Sequence, residues 1–199
     1  MWGLPEQTVA DALSDLQIAI DLQPEHISWY QLTIEAKTEF AKRTPILPME
    51  QEIYDMEQAG LALLTEAGFH RYEVSAFAKS DQLCKHNLNY WQFGDYVGLG
   101  AGAHGKHSTR QDQKLIAFRS SKPSQPRLYM ANPKITEQQQ VAADDLILEF
   151  MMNALRLTDG VDWRIFKQRT GLTQASILPV WENLVTRDPV SYTHLRAHE

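Results

Sequence analysis

The chain has 199 residues, 43% hydrophobic and 10% aromatic, with a formal net charge of −6 and one cysteine. That length suits one large domain, or one plus a small appendage, and the apolar share is that of a globular rather than a disordered protein. An acidic balance without a Lys/Arg run argues against nucleic-acid binding, a lone cysteine excludes an internal disulfide, and no stretch approaches the ~20 apolar residues that span a bilayer.

No basic start followed by an apolar core reads as a signal peptide, so a cytoplasmic protein is expected. Met1 to Pro5 reads as a strand end running into a turn. Thr8 with Asp11 makes a capping pair, and Val9, Leu13, Leu16 and Ile20 follow at helical spacing, which predicts an amphipathic helix over 8–22. Pro24 stops it. His26 to Ile34 is rich in β-formers with little alternation, the pattern of a strand buried on both faces. Strand, helix, strand predicts a parallel βαβ unit.

Residues 35–48, with Pro45 and Pro48, read as a long loop. A helix is expected over 49–67, with Ile53, Met56, Leu63 and Leu64 inward and Gly68 at its stop. Arg71 to Ser75 reads as a short strand continuing the βα alternation. Residues 105–119 predict a hairpin turning at Arg110 to Gln113, followed by an irregular connector marked by Pro123, Pro126 and Pro133.

Composition then shifts. Thr136 is expected to cap a long helix to about Leu157, with Val141, Leu148, Met151, Met152 and Leu155 on its buried side. Asp162 should cap a short helix, and Thr173 should begin another reaching about Arg187. Residues 131–188 therefore read as a helical, winged-helix-like subdomain after an α/β region over 1–130. The last residues, 189–199 (PVSYTHLRAHE), abandon the helical periodicity and read as a non-native tail. A chain that begins in a buried strand leaves an edge unpaired, so the first half of a barrel or sheet is expected upstream of Met1.

Chemistry concentrates between Cys84 and Gly105, CKHNLNYWQFGDYVGLGAGAHG. Gly100 to Gly105 satisfies G-x-G-x-x-G, but a dinucleotide loop should open a helix and be followed by an acid about twenty residues on. Neither is present, which favours close backbone approach as the glycines' purpose. Cys84-Lys85-His86 lacks the second cysteine of a zinc knuckle or a covalent haem site. His104 and His107 lack nearby carboxylates. Tyr90 and Trp91 alone read as core aromatics, and His86 alone as a packed or hydrogen-bonded histidine.

Taken together these residues resemble the C-terminal half of the HemW family, haem chaperones of the radical S-adenosylmethionine superfamily related to oxygen-independent coproporphyrinogen III oxidase. Met1-Trp2-Gly3-Leu4-Pro5-Glu6-Gln7-Thr8 resembles a strand-end GLP-x-QT, and Trp29 to Glu35 resembles a YQLTIE strand. His86-Asn87-Leu88-Asn89-Tyr90-Trp91 matches an HNxxYW haem signature, and Tyr96 to Gly105 resembles YxGxGxGAHG.

The resemblance implies an α/β fold: the last part of a partial (β/α) barrel, followed by the helical subdomain. It implies a protein that binds haem and passes it to an acceptor, with respiratory proteins as candidates and peripheral membrane association arising through them. His86 would be the axial ligand through a neutral imidazole, on a loop, with Cys84 a second candidate ligand as thiolate. Tyr90 and Trp91 would pack on the porphyrin, and Asn87 or Asn89 would orient the loop. Met1, Tyr30 and Thr33 would line an S-adenosylmethionine pocket at the strand ends. The family's [4Fe-4S] cluster needs three cysteines in a C-x-x-x-C-x-x-C motif, and this chain has one. The alternative is the oxidase reaction itself, radical decarboxylation of coproporphyrinogen III. A third reading is a structural module in which His86 is a buried core histidine.

Overall fold

The computed structural model describes residues 1–112, 114–134, 136–178 and 182. They form a mixed helix and strand fold of the α/β class, in two compact units, Met1–Cys84 and Lys85–Glu199.

In the first unit, helix α1 (Val9–Asp21) opens on the expected capping pair. The Thr8 hydroxyl accepts from the Asp11 N–H at 3.2 Å, and the Asp11 carboxylate accepts from the Thr8 N–H at 3.0 Å. Bonds from the Thr8 hydroxyl and then its backbone hold the Asp11 carboxyl below its usual range. Strand β1 (His26–Ser28) follows. The 35–48 segment is not wholly loop. Thr38 caps one exposed helical turn, α2 (Glu39–Lys42), accepting from the Ala41 N–H at 3.2 Å. Helix α3 (Glu50–Glu66) runs as expected, with the Glu52 carboxylate accepting from the Met49 N–H at 2.8 Å and Gly68 beyond its end at φ +80°.

The βα alternation does not continue. Strands β2 (His70–Glu73) and β3 (Ala76–Ala78) are joined by two residues, a connection that only antiparallel strands can make. The sheet order is β1-β3-β2, antiparallel throughout. The parallel relation expected on either side of α1 is present as a single bridge between Trp2 and Gln31, with Trp2 N–H donating to Tyr30 O at 3.1 Å and Leu32 N–H to Trp2 O at 2.8 Å. Nor is the 26–34 segment buried on both faces. Ile27 and Trp29 point into the core with Trp2, Ala12, Leu16, Met56, Leu64, Phe69 and Phe77, while Ser28 and Tyr30 are exposed. Residues of α1 and α3 cover the Ile27 and Trp29 side of this segment.

The second unit begins with helix α4 (Lys85–Trp91). The predicted hairpin is present as β4 (His104–Gln111) and β5 (Lys114–Ser121), in register from His104↔Ser121 to Gln111↔Lys114. A short helix α5 (Pro126–Ala131) follows. Thr136 does not cap a helix. Residues Glu137–Gln140 instead form β6, which pairs antiparallel with β5, so helix α6 starts later, at Ala143, and ends at Ala154. Its buried stripe is Leu146, Phe150 and Ala154, while Leu148, Met152 and Leu155, expected inside, are exposed.

Both stripes of α6 are apolar, and the ring of Phe150 decides between them. It meets Phe93 at 5.9 Å and Phe166 at 5.0 Å, both edge-on. Helix α7 (Trp163–Thr170) is capped by Asp162 as predicted and ends at Gly171 in the left-handed region. Of the helix expected from Thr173 to Arg187, the described part holds a 3₁₀ turn at Gln174–Ser176, and the rest is largely outside the described residues, as is the 189–199 tail. No helix among the described residues is long and apolar enough to cross a membrane.

Candidate functional site

The HNxxYW residues lie on α4, a helix rather than the expected loop. Helical spacing puts His86 and Tyr90, four residues apart, on one face. Their rings meet edge-to-face at 4.8 Å and 85°. His86 is exposed, and among the described residues no hydrogen bond ties its ring nitrogens. The core-histidine reading, which required a buried and bonded imidazole, therefore loses its support. Tyr90 is half-buried, with Tyr96 on its other side at 4.5 Å. Trp91 is half-buried under the guanidinium of Arg156, 4.3 Å from the ring centroid, and its buried indole N–H has no hydrogen-bond partner among the described residues. One face of the indole is thus taken by Arg156. Asn87 is half-buried, as is the free Cys84 that precedes α4.

How α4 ends determines where this face points. Gly94 N–H donates to Asn89 O at 2.6 Å and Phe93 N–H to Tyr90 O at 2.9 Å, the paired bonds of a Schellman stop. The left-handed position, usually glycine, is Phe93 at φ +56°. Burial offsets the strain, because the Phe93 ring is 1% exposed and lies under the Lys106 ammonium at 4.2 Å. The Asn89 side chain donates to Asp95 O at 3.0 Å.

Lys106, on β4, is buried, an expensive place for an ammonium unless it is fully bonded. It donates to Phe93 O at 3.1 Å, Asp95 Oδ1 at 2.8 Å and Ser108 Oγ at 3.2 Å. Burial outweighs the Asp95 pair and holds the Lys106 pKa below the ordinary lysine value. Burial alone would raise the Asp95 carboxyl, but bonds from Lys106 and Ser108 prevail and hold it below its usual range. Arg119, on β5, donates through Nε and Nη2 to Glu149 Oε2 at 2.9 and 2.7 Å, and through Nη1 to the Tyr96 hydroxyl at 3.0 Å.

Sequence reasoning missed Asp95, Lys106, Arg119, Glu149 and Arg156. The ion pairs Lys106–Asp95 and Arg119–Glu149 join residues 11 and 30 positions apart, and no local motif announces such pairs.

The glycine segment is no nucleotide loop. Tyr96 bridges Lys106 antiparallel, and the chain enters strand β4 after Gly102 rather than a helix. A Cβ at Gly98 would lie 2.1 Å from His104 O, and one at Gly105 would lie 2.6 Å from Ser120 Oγ. Close backbone approach accounts for Gly98, and at Gly105 the Tyr96 carbonyl oxygen, 3.2 Å from the same point, adds to the Ser120 hydroxyl.

Residues 141–186 match the family model described as the HemN C-terminal domain. The chain is 44% identical over 187 residues to "Heme chaperone HemW" of Escherichia coli (strain K12), covering 94% of this chain and 49% of that protein. It is 47% identical over 177 residues to "Heme chaperone HemW" of Haemophilus influenzae, covering 89% of this chain and 45% of that protein. Over its own length, the chain is similar to these HemW proteins. It spans about half the length of these HemW relatives. Among solved structures, coproporphyrinogen III oxidase (HemN) from Escherichia coli, described as a radical SAM enzyme, superposes with a TM-score of 0.67, covering 96% of this chain and 48% of that one. At 17% identity that likeness is one of fold.

The HemW resemblance also pointed to Met1, Tyr30 and Thr33. Met1 and Tyr30 are exposed beside the Trp2–Gln31 bridge, and Thr33 is exposed three residues further on. A [4Fe-4S] cluster does not fit this chain, which has one thiol where three are needed. Among the described residues no group of three or more His, Cys, Asp or Glu side chains is placed to hold a metal ion. His107 is stacked on Phe118 at 5.0 Å, and His104 is exposed at the start of β4.

Proposed function

We propose that this chain contributes the haem-holding part of a haem chaperone, which binds haem and releases it to an acceptor protein. The observation that carries the reading is the exposed imidazole of His86, without a hydrogen bond among the described residues and seated on Tyr90 within HNxxYW, in a chain whose relatives are named haem chaperones. A neutral imidazole nitrogen open to solvent is suited to axial coordination of haem iron. Cys84 is the second candidate ligand. Tyr90 and Trp91 would offer the porphyrin apolar contact, with Asn87 lying between His86 and them in sequence. An exposed ligand in the first turn of a helix suits a cargo that must leave again.

The acceptor is a protein of unknown identity, with respiratory proteins the favoured class and peripheral membrane association arising through it. Met1, Tyr30 and Thr33 would border S-adenosylmethionine in the whole protein. Haem holding by His86 is independent of a cluster, which this chain's single cysteine does not support.

Titration of haemin into the purified chain, with His86→Ala and Cys84→Ala beside it, tests the reading. The expected result is a Soret band that shifts and weakens in His86→Ala. Unchanged spectra and affinity in both variants would overturn the ligand assignment.

A further inference from the structure

We propose that Arg119 and Tyr96 are positioning residues for His86, acting through Tyr90. The inference rests on His86 being the haem ligand. The contacts are continuous. The Glu149 carboxylate holds two nitrogens of Arg119, at 2.9 and 2.7 Å, and the third nitrogen donates to the Tyr96 hydroxyl at 3.0 Å. The Tyr96 ring lies 4.5 Å from that of Tyr90, which lies 4.8 Å from His86.

An exposed imidazole on a helix samples several rotamers, and each unproductive one lowers the population ready to meet iron. The edge of Tyr90 restricts that choice, but an isolated pair four residues apart is weak. The restraint has to come from the far end. Tyr90 is held because Tyr96 is held, and Tyr96 is pinned at its hydroxyl by a guanidinium that is itself braced by Glu149. Only a planar fork satisfies both partners at once, and lysine has none. Arg119 also lies over Phe93 at 5.7 Å, so the same cation braces the residue that terminates α4. Outer groups that orient a ligand imidazole tune affinity without touching the metal.

The test is a haemin titration of the chain carrying Tyr96→Phe, Arg119→Ala, Arg119→Lys or His86→Ala, and of each of the first three combined with His86→Ala. In parallel, NMR without haem follows the His86 Hε1 resonance, which the Tyr90 ring shifts. We expect about threefold weaker binding for Tyr96→Phe and about tenfold for Arg119→Ala, with Arg119→Lys restoring only part, and all three effects vanishing in the His86→Ala background. The His86 resonance should move towards its random-coil position in Tyr96→Phe, which keeps the ring and removes only the hydroxyl. Thermal unfolding identifies any variant that fails to fold, and if Arg119→Ala does so, Tyr96→Phe decides. Haem affinity unchanged in Tyr96→Phe with the His86 resonance unmoved would overturn the positioning role. The same losses with and without His86 would overturn it too. If His86→Ala alone leaves haem binding intact, the ligand assignment fails, while the His86 resonance still reports whether Tyr96 and Arg119 orient the ring.

Discussion

Lys106 and Asp95 form an ion pair at 2.8 Å whose two ends sit in different media, the lysine side chain 1% exposed and the aspartate 40%. The pair ties β4 to the turn that ends α4. Asp95→Asn would leave a buried ammonium with weaker partners. Because the aspartate end is partly hydrated, the expected loss is about 1–3 kcal/mol at pH 7, below that of a wholly buried pair. Urea unfolding gives the value.

The same carboxylate sets an acid limit. Its folded pKa is lowered, so its stabilisation is complete above the unfolded value of about 3.9 and lost as pH falls through the lower folded value. The lowered Lys106 pKa acts with the same sign at the alkaline end, since the unfolded chain binds that proton more tightly. Stability measured from pH 6 down to about 2 should therefore fall less steeply in Asp95→Asn than in the parent chain. Parallel curves would remove Asp95 from the account of acid sensitivity.

Gly94→Ala should loosen the end of α4. The added Cβ would lie 1.9 Å from Asn89 Oδ1 and 2.7 Å from the Asn89 carbonyl oxygen. The side chain can rotate away, but only by giving up its bond to Asp95 O, and the backbone cannot. A loss of about 1–3 kcal/mol is expected, read as a lower urea midpoint. Hydrogen exchange should show the amides of Phe93 and Gly94 losing protection first.

In the first unit Gly60 packs against the indole of Trp29, where a Cβ would lie 1.9 Å from Cη2. Alanine improves helix propensity by about 1 kcal/mol, yet the clash displaces a side chain that also meets Trp2 at 5.3 Å. Overpacking of this kind costs about 1–3 kcal/mol, so Gly60→Ala should be neutral to destabilising and never stabilising. Near-ultraviolet circular dichroism should register the altered tryptophan pair.

The two stripes of α6 respond differently. Phe150→Ala should cost about 3–5 kcal/mol, whereas Leu148→Lys, on the exposed side, should stay within about 0.5 kcal/mol. Equal losses would mean that the exposed stripe is covered in solution.

Much of this was legible from local pattern. The Thr8–Asp11 cap, the α3 register ending at Gly68, the 104–121 hairpin and the Asp162 cap each depend on residues within a few positions of one another, where capping bonds and turn chemistry act. The motif HNxxYW, too, marks out a segment from sequence alone.

Other outcomes were decided by tertiary contacts. Glu137–Gln140 has no apolar periodicity of its own and becomes a strand because β5 offers it an open edge. On α6 the choice of buried stripe went to Phe150 because Phe93 and Phe166 flank it. The two-residue turn after Glu73 closed an antiparallel hairpin where continued alternation was expected. By itself, the sequence determined which residue types would gather around His86. Tertiary structure alone decided that α4 is held by Lys106, Asp95 and Arg119. Pairing of charges far apart in sequence depends on distance in space, and a linear pattern does not encode it.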